Sequence, residues 1–397
     1  MSISRKPPKK PVNWSGLADH GFLIAALSGR GLAAAAARAG HGVFVLDLFN
    51  DSDLAALARE SAPVEADAGG GFDGNSLLSE ARKLKCGEAQ LVFGAGFEDR
   101  PELLRRLAEG RTLCGNSPQT LARIKDPGDF FAVLDGLGIS HPQTSLIPPE
   151  NSLEGWLVKP VGGSGGRHIR EVWEMDPPTT SVYYQRALAG RAVSLLFLGD
   201  GKRICALGLS EQFPAPFPPE HPFRFGFAVT LPDGDAALMT GLTRTATTLT
   251  EIYGLVGLNS LDALMDEAGE VHVLEVNPRP GATMDLFDPL AGTPLFDLHV
   301  AAVAGNLPHD SEIPREQVDV FRACGILYAD TSFHMGEGMN WPVWSADRPR
   351  GGTAFAIGDP ICTIFAEGDT PAQAMESVGE RARALRNDLA RCKGADH

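Results

Sequence analysis

Apolar positions along the chain form short continuous runs, separated by stretches with helical spacing. Phe22–Leu27 is the first run, followed by Ser28-Gly29-Arg30-Gly31 and an Ala-rich helical stretch, Leu32–Ala39, that ends at Gly40. Val43–Leu48 is a second run and carries Asp47. Leu91–Phe93 and Thr112–Cys114 read as two more strands, with a helix over Pro101–Ala108 between them. Strands alternating with helices at this spacing predict a parallel sheet covered on both faces. Farther along, Ser117-Pro118 opens a helix that reaches Lys125, and Asp126-Pro127 opens another that ends near Gly138. Trp156–Lys159 and Val182–Gln185 read as strands and Leu238–Tyr253 as a helix. Leu255–Met265 and Val271–Val276 read as strands joined by a short polar turn. Strands near Gly325–Ala329, Thr353–Ile357 and Ile361–Ala366 precede a final helix, Pro371–Arg391, with Thr370 as its cap. Gln212–Phe227 is rich in Pro and Phe and reads as a long irregular excursion facing substrate.

At roughly 150 residues per domain, 397 residues suggest two or three domains. The expected division is a tail over 1–15 carrying Arg5, Lys6, Lys9 and Lys10, a Rossmann-like unit over 16–113, a central domain over 114–314 and a C-terminal subdomain over 315–397. The fold class is therefore α/β and α+β. No apolar run approaches the ~20 residues that cross a bilayer. No apolar segment stands behind a cleavage site near the N-terminus, so the expected location is cytoplasmic, without a membrane partner.

A net charge of −15 tells against nucleic acid as a ligand, because such proteins carry a basic face. A small anionic ligand is still compatible, since a few lysines and a metal can hold phosphate in an acidic protein. The cysteines Cys86, Cys114, Cys205, Cys324, Cys362 and Cys392 form no C-x-x-C pair, which disfavours structural zinc or a disulfide framework. Cys362 reads as a buried strand residue rather than a nucleophile. The turn after the first strand lacks G-x-G-x-x-G, so the first unit is expected to be Rossmann-like without bound NAD. An NAD-dependent oxidoreductase is thereby demoted to a rival reading.

The sharpest chemistry lies in Gly257–Arg279. With a turn at Glu267–Glu270, Asp262 stands across a hairpin from Glu275, although like charges opposed on paired strands are unfavourable. Alternation puts Glu275 and Asn277 on one face of an otherwise apolar strand. Such carboxylates must be paired or neutralised. Asp262, Glu275 and Asn277 together offer hard oxygen donors and leave positions open, which suits Mg²⁺, or Mn²⁺ in its place. The plain alternative is an exposed hairpin face. Lys159 ends a strand held extended by Pro160, and Gly162, Gly163, Ser164, Gly165 and Gly166 follow it in a loop whose N–H groups could approach phosphate closely. Lys125 lies between two capped helices and could equally be a surface lysine.

In order, C-G-N-S-P through Lys125, W-L-V-K-P-V-G-G-S-G-G, Y-Y-Q-R-A-L-A-G and the Asp262…E-V-N-P-R block resemble the ATP-grasp superfamily. The resemblance implies an ATP-grasp fold with a Rossmann-like N-terminal domain. It implies that Lys125 and Lys159 hold ATP phosphates, with Gly162–Gly166 folding over them. Gln185, Arg186 and Leu188 correspond to the hinge that binds adenine. Asp262, Glu275 and Asn277 correspond to the metal ligands, and Arg279, with Lys159, to the residues acting on the transferred phosphoryl group. The sequence departs from the pattern at Gln185, where an acidic residue is commoner, and at Ala192, where an acidic ribose contact is expected. The C-terminal run from Gly358 to Gly368 resembles ligases related to biotin carboxylase. Yet Pro278-Arg279-Pro280 replaces the Gln-Val-Glu-His stretch, and no biotinyl-lysine segment occurs, which makes an ATP-dependent carboxylase the weaker alternative. The stretch from Trp341 resembles a branch tied to methanofuran and tetrahydromethanopterin-type cofactors, where glutamate is joined to an amine. The implied activity is an ATP- and Mg²⁺-dependent carboxylate–amine ligase with small-molecule substrates. The resemblance allows a homodimer. A non-catalytic ATP-binding sensor is the rival from another class.

Overall fold

A computed structural model of the chain describes residues 21–150, 152–172, 181–215, 217–232, 235–288, 292–308 and 320–393, with the side chains of the last helix described to residue 390. The tail read over 1–15 lies outside the described residues. The first unit is a four-stranded parallel sheet in the order Glu60–Pro63, Val43–Asp47, Phe22–Ala25, Gln90–Phe93. Its two inner strands are buried along their whole length, as continuous apolar runs covered on both faces should be. The helix after the first strand starts at Arg30, two residues earlier than expected. Thr112–Cys114 is not a strand: only Leu113 bridges to Leu91 before the backbone turns away toward the central domain. The edge strand Glu60–Pro63 and the helix Gly74–Lys83, whose cap is Asp73, had no counterpart in the apolar pattern. The strand is largely exposed and polar, so it carries no hydrophobic signal.

The central architecture is an eight-stranded sheet in the order Val271–Asn277, Val256–Met265, Arg191–Asp200, Ile204–Pro214, Phe225–Thr230, Phe321–Tyr328, Pro360–Gly368, Ser345–Ala346. All its pairings are antiparallel. Beyond residue 320, Phe321–Tyr328, Pro360–Gly368 and Ser345–Ala346 continue this sheet at one end, the helix Pro371–Lys393 packs on it, and Phe333–His334 pairs with Ala354–Phe355 in a separate two-stranded sheet. The expected excursion at Gln212–Phe227 is corrected: its two ends are strand, paired in register from Gln212 with Ala228 to Phe213 with Phe227. Between these ends the described residues 215 and 217–224 are irregular. Aromatic and proline content there masks two strand ends, in which Gln212, Phe213, Phe225 and Phe227 are half-buried. A smaller sheet orders Thr144–Ser145, Val182–Arg186, Trp156–Pro160 and Arg170–Glu171.

One apolar core crosses from the first unit to the large sheet. Leu32, Ala35 and Ala36 on the first helix share it with Leu196, Leu198, Leu258, Met284 and Phe296. The other face of the sheet packs on the helix Ala236–Tyr253 and on Phe130 and Phe131. Asn116 ties the crossing point together. Its amide donates to the Val256 carbonyl at 3.1 Å, to Asn259 Oδ1 at 2.8 Å and to the Pro278 carbonyl at 2.9 Å, while its Oδ1 accepts from the Val256 N–H at 2.9 Å. Asn116→Ala should leave these buried groups unsatisfied and cost about 2–3 kcal/mol of stability. Urea unfolding of the purified variant checks this, with an unchanged midpoint as the contrary result.

Candidate active site

The hairpin Val256–Met265/Val271–Asn277 carries the site. Asp262 pairs with Glu275 and Ser260 with Asn277, the register expected from the sequence. The register slips just after Asp262, and a hairpin with an irregularity at that point re-aims its neighbours. Ser194 on the adjoining strand donates to Asp262 Oδ1 at 2.6 Å, and Asn277 Nδ2 donates to Asp262 Oδ2 at 2.8 Å. Lys125 is buried, so it is not a plain surface lysine; its Nζ donates to Glu275 Oε2 at 2.7 Å and to Asn277 Oδ1 at 3.1 Å. The helix Pro118–Ile124, capped by Ser117, delivers that lysine at its C-terminal end.

The electrostatics follow from this arrangement. Burial, and then the charge of Glu275, push the Asp262 carboxyl up to about 6. Burial alone would raise Glu275 as well, but the Lys125 ammonium holds it below its ordinary value, assisted by Lys159. Two opposed carboxylates and one amide oxygen form a donor set that a hard divalent cation fits. Lys159 lies on the strand Trp156–Pro160 with its Nζ 2.6 Å from Gln185 Oε1. Burial and the nearby Lys125 bring its ammonium down to about 8, against the opposing pull of Glu275.

Gln185, expected at the hinge, is fully buried, and its side chain is occupied by Lys159 and by Thr144 Oγ1 at 3.2 Å. Arg186 turns outward, with its guanidinium 5.9 Å from the Trp156 ring, and Leu188 is exposed beyond it. The loop Gly162–Gly166 is folded down onto its neighbours. Gly162 has φ +73°, and a Cβ there would fall 2.6 Å from Asp99; a Cβ on Gly166 would fall 1.9 Å from the Phe223 carbonyl. Glycine is required at both positions.

Arg279 Nε donates to Glu98 Oε1 at 2.7 Å, while the nearby Asp285 is held by Arg30. Glu98 comes from the N-terminal unit and also accepts from the N–H groups of Gly96 and Phe97. Burial would raise its carboxyl, yet Arg279 and Lys125 hold it below the ordinary value. Sequence reasoning missed Glu98, Ser194 and His168. His168 sits behind the glycine loop with Nδ1 3.2 Å from the Ser164 carbonyl, and burial lowers its imidazole. No local pattern marks them, because each reaches the site through tertiary contact. Cys362 is a buried strand cysteine, its thiol pushed up by burial, as expected. Asp47 accepts from the Gly29 and Asn50 N–H groups and is wholly buried, out of reach of a ribose.

Lys125, Lys159, the glycine loop, Gln185, Arg186, Leu188, Asp262, Glu275, Asn277 and Arg279 all line one cavity of about 730 Å³. Residues 125–283 match the ATP-grasp domain family. The chain carries an ATP-grasp domain. It is 24% identical over 287 residues to the arginine-specific large chain of carbamoyl phosphate synthase from Bacillus subtilis (strain 168), covering 64% of this chain. The chain spans about 25% of that relative's length. Among solved structures, the biotin carboxylase domain dimer of 2-oxoglutarate carboxylase from Hydrogenobacter thermophilus, in complex with MgADP, superposes with a TM-score of 0.70 at 12% identity. That match covers 91% of this chain and 90% of the other. N5-carboxyaminoimidazole ribonucleotide synthetase from Thermotoga maritima superposes with a TM-score of 0.60 at 17% identity, over 91% of this chain and 97% of that one. The ATP-grasp domain therefore sits within a fold these proteins share over about nine-tenths of this chain. No helix among the described residues is long and apolar enough to cross a membrane.

Proposed function

We propose that the protein is an ADP-forming ligase that activates a carboxylate with ATP as an acyl phosphate and joins it to an amine. The observation that carries this reading is the convergence of Asp262, Glu275, Asn277, Lys125, Lys159 and Arg279 on one cavity beneath the glycine loop. Asp262, Glu275 and Asn277 would hold Mg²⁺, or Mn²⁺. The ion would supply charge neutralisation for the phosphates of ATP. Lys125 and Lys159 orient the terminal phosphates, and Gln185, Arg186 and Leu188 line the nucleotide end. Arg279 faces charge that develops on the acyl phosphate, and the glycine loop excludes water that would hydrolyse it. The narrower form of the proposal is a glutamate ligase of one-carbon cofactor assembly, supported by the stretch from Trp341 to Pro349. Similar folds act in carboxylases, but Pro278-Arg279-Pro280-Gly281 after the metal strand favours the ligase. The division at 16–113, 114–314 and 315–397 belongs to the same proposal.

The test is ADP release from Mg-ATP over a panel of amino acids and amines, with products read by mass spectrometry. A product of acid plus amine less one water supports the proposal. ADP release that requires bicarbonate and yields a carboxylated product overturns it in favour of a carboxylase, and binding of ATP without turnover on any pair points to the sensor.

Lys159 gives a separate check. Its ammonium is partly deprotonated near pH 8, and bound phosphate would favour the charged form. Binding of a non-hydrolysable ATP analogue with Mg²⁺ should therefore take up a proton between about pH 8 and 10. Calorimetry in buffers of different ionisation enthalpy measures it. Lys159→Ala should abolish the uptake and weaken the analogue about tenfold or more. Unchanged affinity and uptake would return Lys159 to a structural role.

A further inference from the structure

The cavity does not end at the phosphate-handling residues. Beyond Arg279 the segment Pro280–Asp285 runs to a second, acidic end that also takes in Ser28, Arg30, Asp51 and Asp347. Here Arg30 donates from Nη2 to Asp285 at 2.5 Å and from Nε to Asp347 Oδ1 at 3.1 Å. Ser28 Oγ donates to the same Asp347 oxygen at 3.1 Å. Asp347 is held in a left-handed backbone conformation, φ +54°, by Asp53, which accepts from the Asp347 and Arg348 N–H groups at 3.1 and 3.0 Å. Left-handed geometry at a non-glycine residue is uncommon and marks an over-determined position.

Asp51 is the informative member. It is 4% exposed, it lines the cavity, and no hydrogen bond or ion pair to its carboxyl is present among the described residues. Arg30 thus pairs with Asp285 and Asp347 and leaves the third carboxyl, Asp51, without a partner among the described residues. A buried carboxylate left without a partner is costly unless something arrives to pair with it. A metal does not fit the spacing. Among the described residues, the set of His, Cys, Asp and Glu ligand atoms drawn close enough for an ion is Asp266, Glu270 and His272 on the hairpin turn, not this end. An anion does not fit either, since Arg30 is already neutralised and Asp47 occupies the Gly29 N–H at the helix start.

We propose that this acidic end receives the amino group of the amine substrate as an ammonium, so that the substrate class is a cationic amine rather than a ribonucleotide or another phosphate ester. The inference rests on the ligase reading for the word substrate, but not for the binding itself. Burial, together with Asp347, Asp47 and Asp53, pushes the Asp51 carboxyl up to about 8, against the pull of Arg30. An arriving ammonium would let Asp51 ionise and would supply the missing partner.

The experiment titrates the full chain with putrescine and benzylamine, with their N-acetyl counterparts, and with ribose 5-phosphate as an anionic probe. The two amines should bind at least tenfold more tightly than the acetylated molecules. Asp51→Asn should remove that preference at unchanged affinity for a Mg-bound ATP analogue. Asp347→Asn serves as the second variant if the first does not fold, and should likewise reduce amine affinity. Equal binding of amine and acetylated probe, no binding of either amine, tighter binding of ribose 5-phosphate, or an Asp51→Asn protein that keeps the preference would overturn the proposal. Failure of the ligase reading looks different: amine affinity intact, with no nucleotide-dependent product.

Discussion

Glu275→Gln is expected to leave a folded protein that no longer turns over Mg-ATP. The substitution keeps volume and removes one charge from a face where two carboxylates oppose each other across a hairpin. On stability, the effects partly cancel. Lys125 loses its ion pair at 2.7 Å, but Asp262 loses the like charge that, after burial, does most to raise its carboxyl. The Lys125 ammonium also keeps its contact with Asn277. On chemistry, nothing cancels. A site meant to hold a divalent cation and a polyphosphate would keep one carboxylate and two lysines, and electrostatic contributors of this kind are worth about 100- to 1,000-fold in rate each. A steady-state assay of ADP formation, paired with a thermal melt on the same preparation, reads both quantities. Wild-type turnover at any Mg²⁺ concentration would remove Glu275 from the metal set.

How much of this was legible beforehand depended on whether the signal was local. The hairpin register followed from a polar turn at the right place and from alternation along Val271–Asn277, so Asp262 opposite Glu275 could be read from one short segment. Lys125 could not be separated from a surface lysine, because its burial comes from a sheet edge 150 positions away in sequence. The same holds for Glu98, which lies 181 positions from Arg279 and looks from its neighbours like any acid in a loop. Gln185 was expected at the hinge but not as the acceptor for Lys159, since that contact joins adjacent strands of the small sheet. The strands Arg191–Asp200 and Ile204–Pro214 went unread although they lie at the sheet centre; Gly208 and the polar Ser210–Gln212 interrupt the apolar run of the second. The acidic end of the cavity is the extreme case: Arg30, Asp51, Asp285 and Asp347 come from separate segments, and only folding puts them on one wall.

Arg279 offers the sharpest separation of catalysis from structure. Its Nε is committed to Glu98 at 2.7 Å in a pocket where both side chains are almost wholly buried. Arg279 also lines the cavity, and its Nη2 lies 3.5 Å from Asn277 Oδ1. A guanidinium can serve Glu98 and the phosphoryl group together because its donors are splayed in a plane, whereas an ammonium concentrates its charge at one point. Arg279→Lys should therefore keep the pair with Glu98 and lose the second contact. We expect kcat to fall about 100-fold or more, KM for ATP to change little, and the melting temperature to drop only slightly. Glu98→Gln should do the reverse in stability, leaving a buried guanidinium without its carboxylate at a cost of about 3–5 kcal/mol. If Arg279 only fastens the first unit to the metal strand, Arg279→Lys will retain wild-type kcat, and both variants will differ from the parent only in their melting curves. A lysine variant with intact kcat would leave the proposed chemistry without its cation at the acyl phosphate, and the phosphoryl acceptor would then have to be stabilised by Lys125 or Lys159 alone.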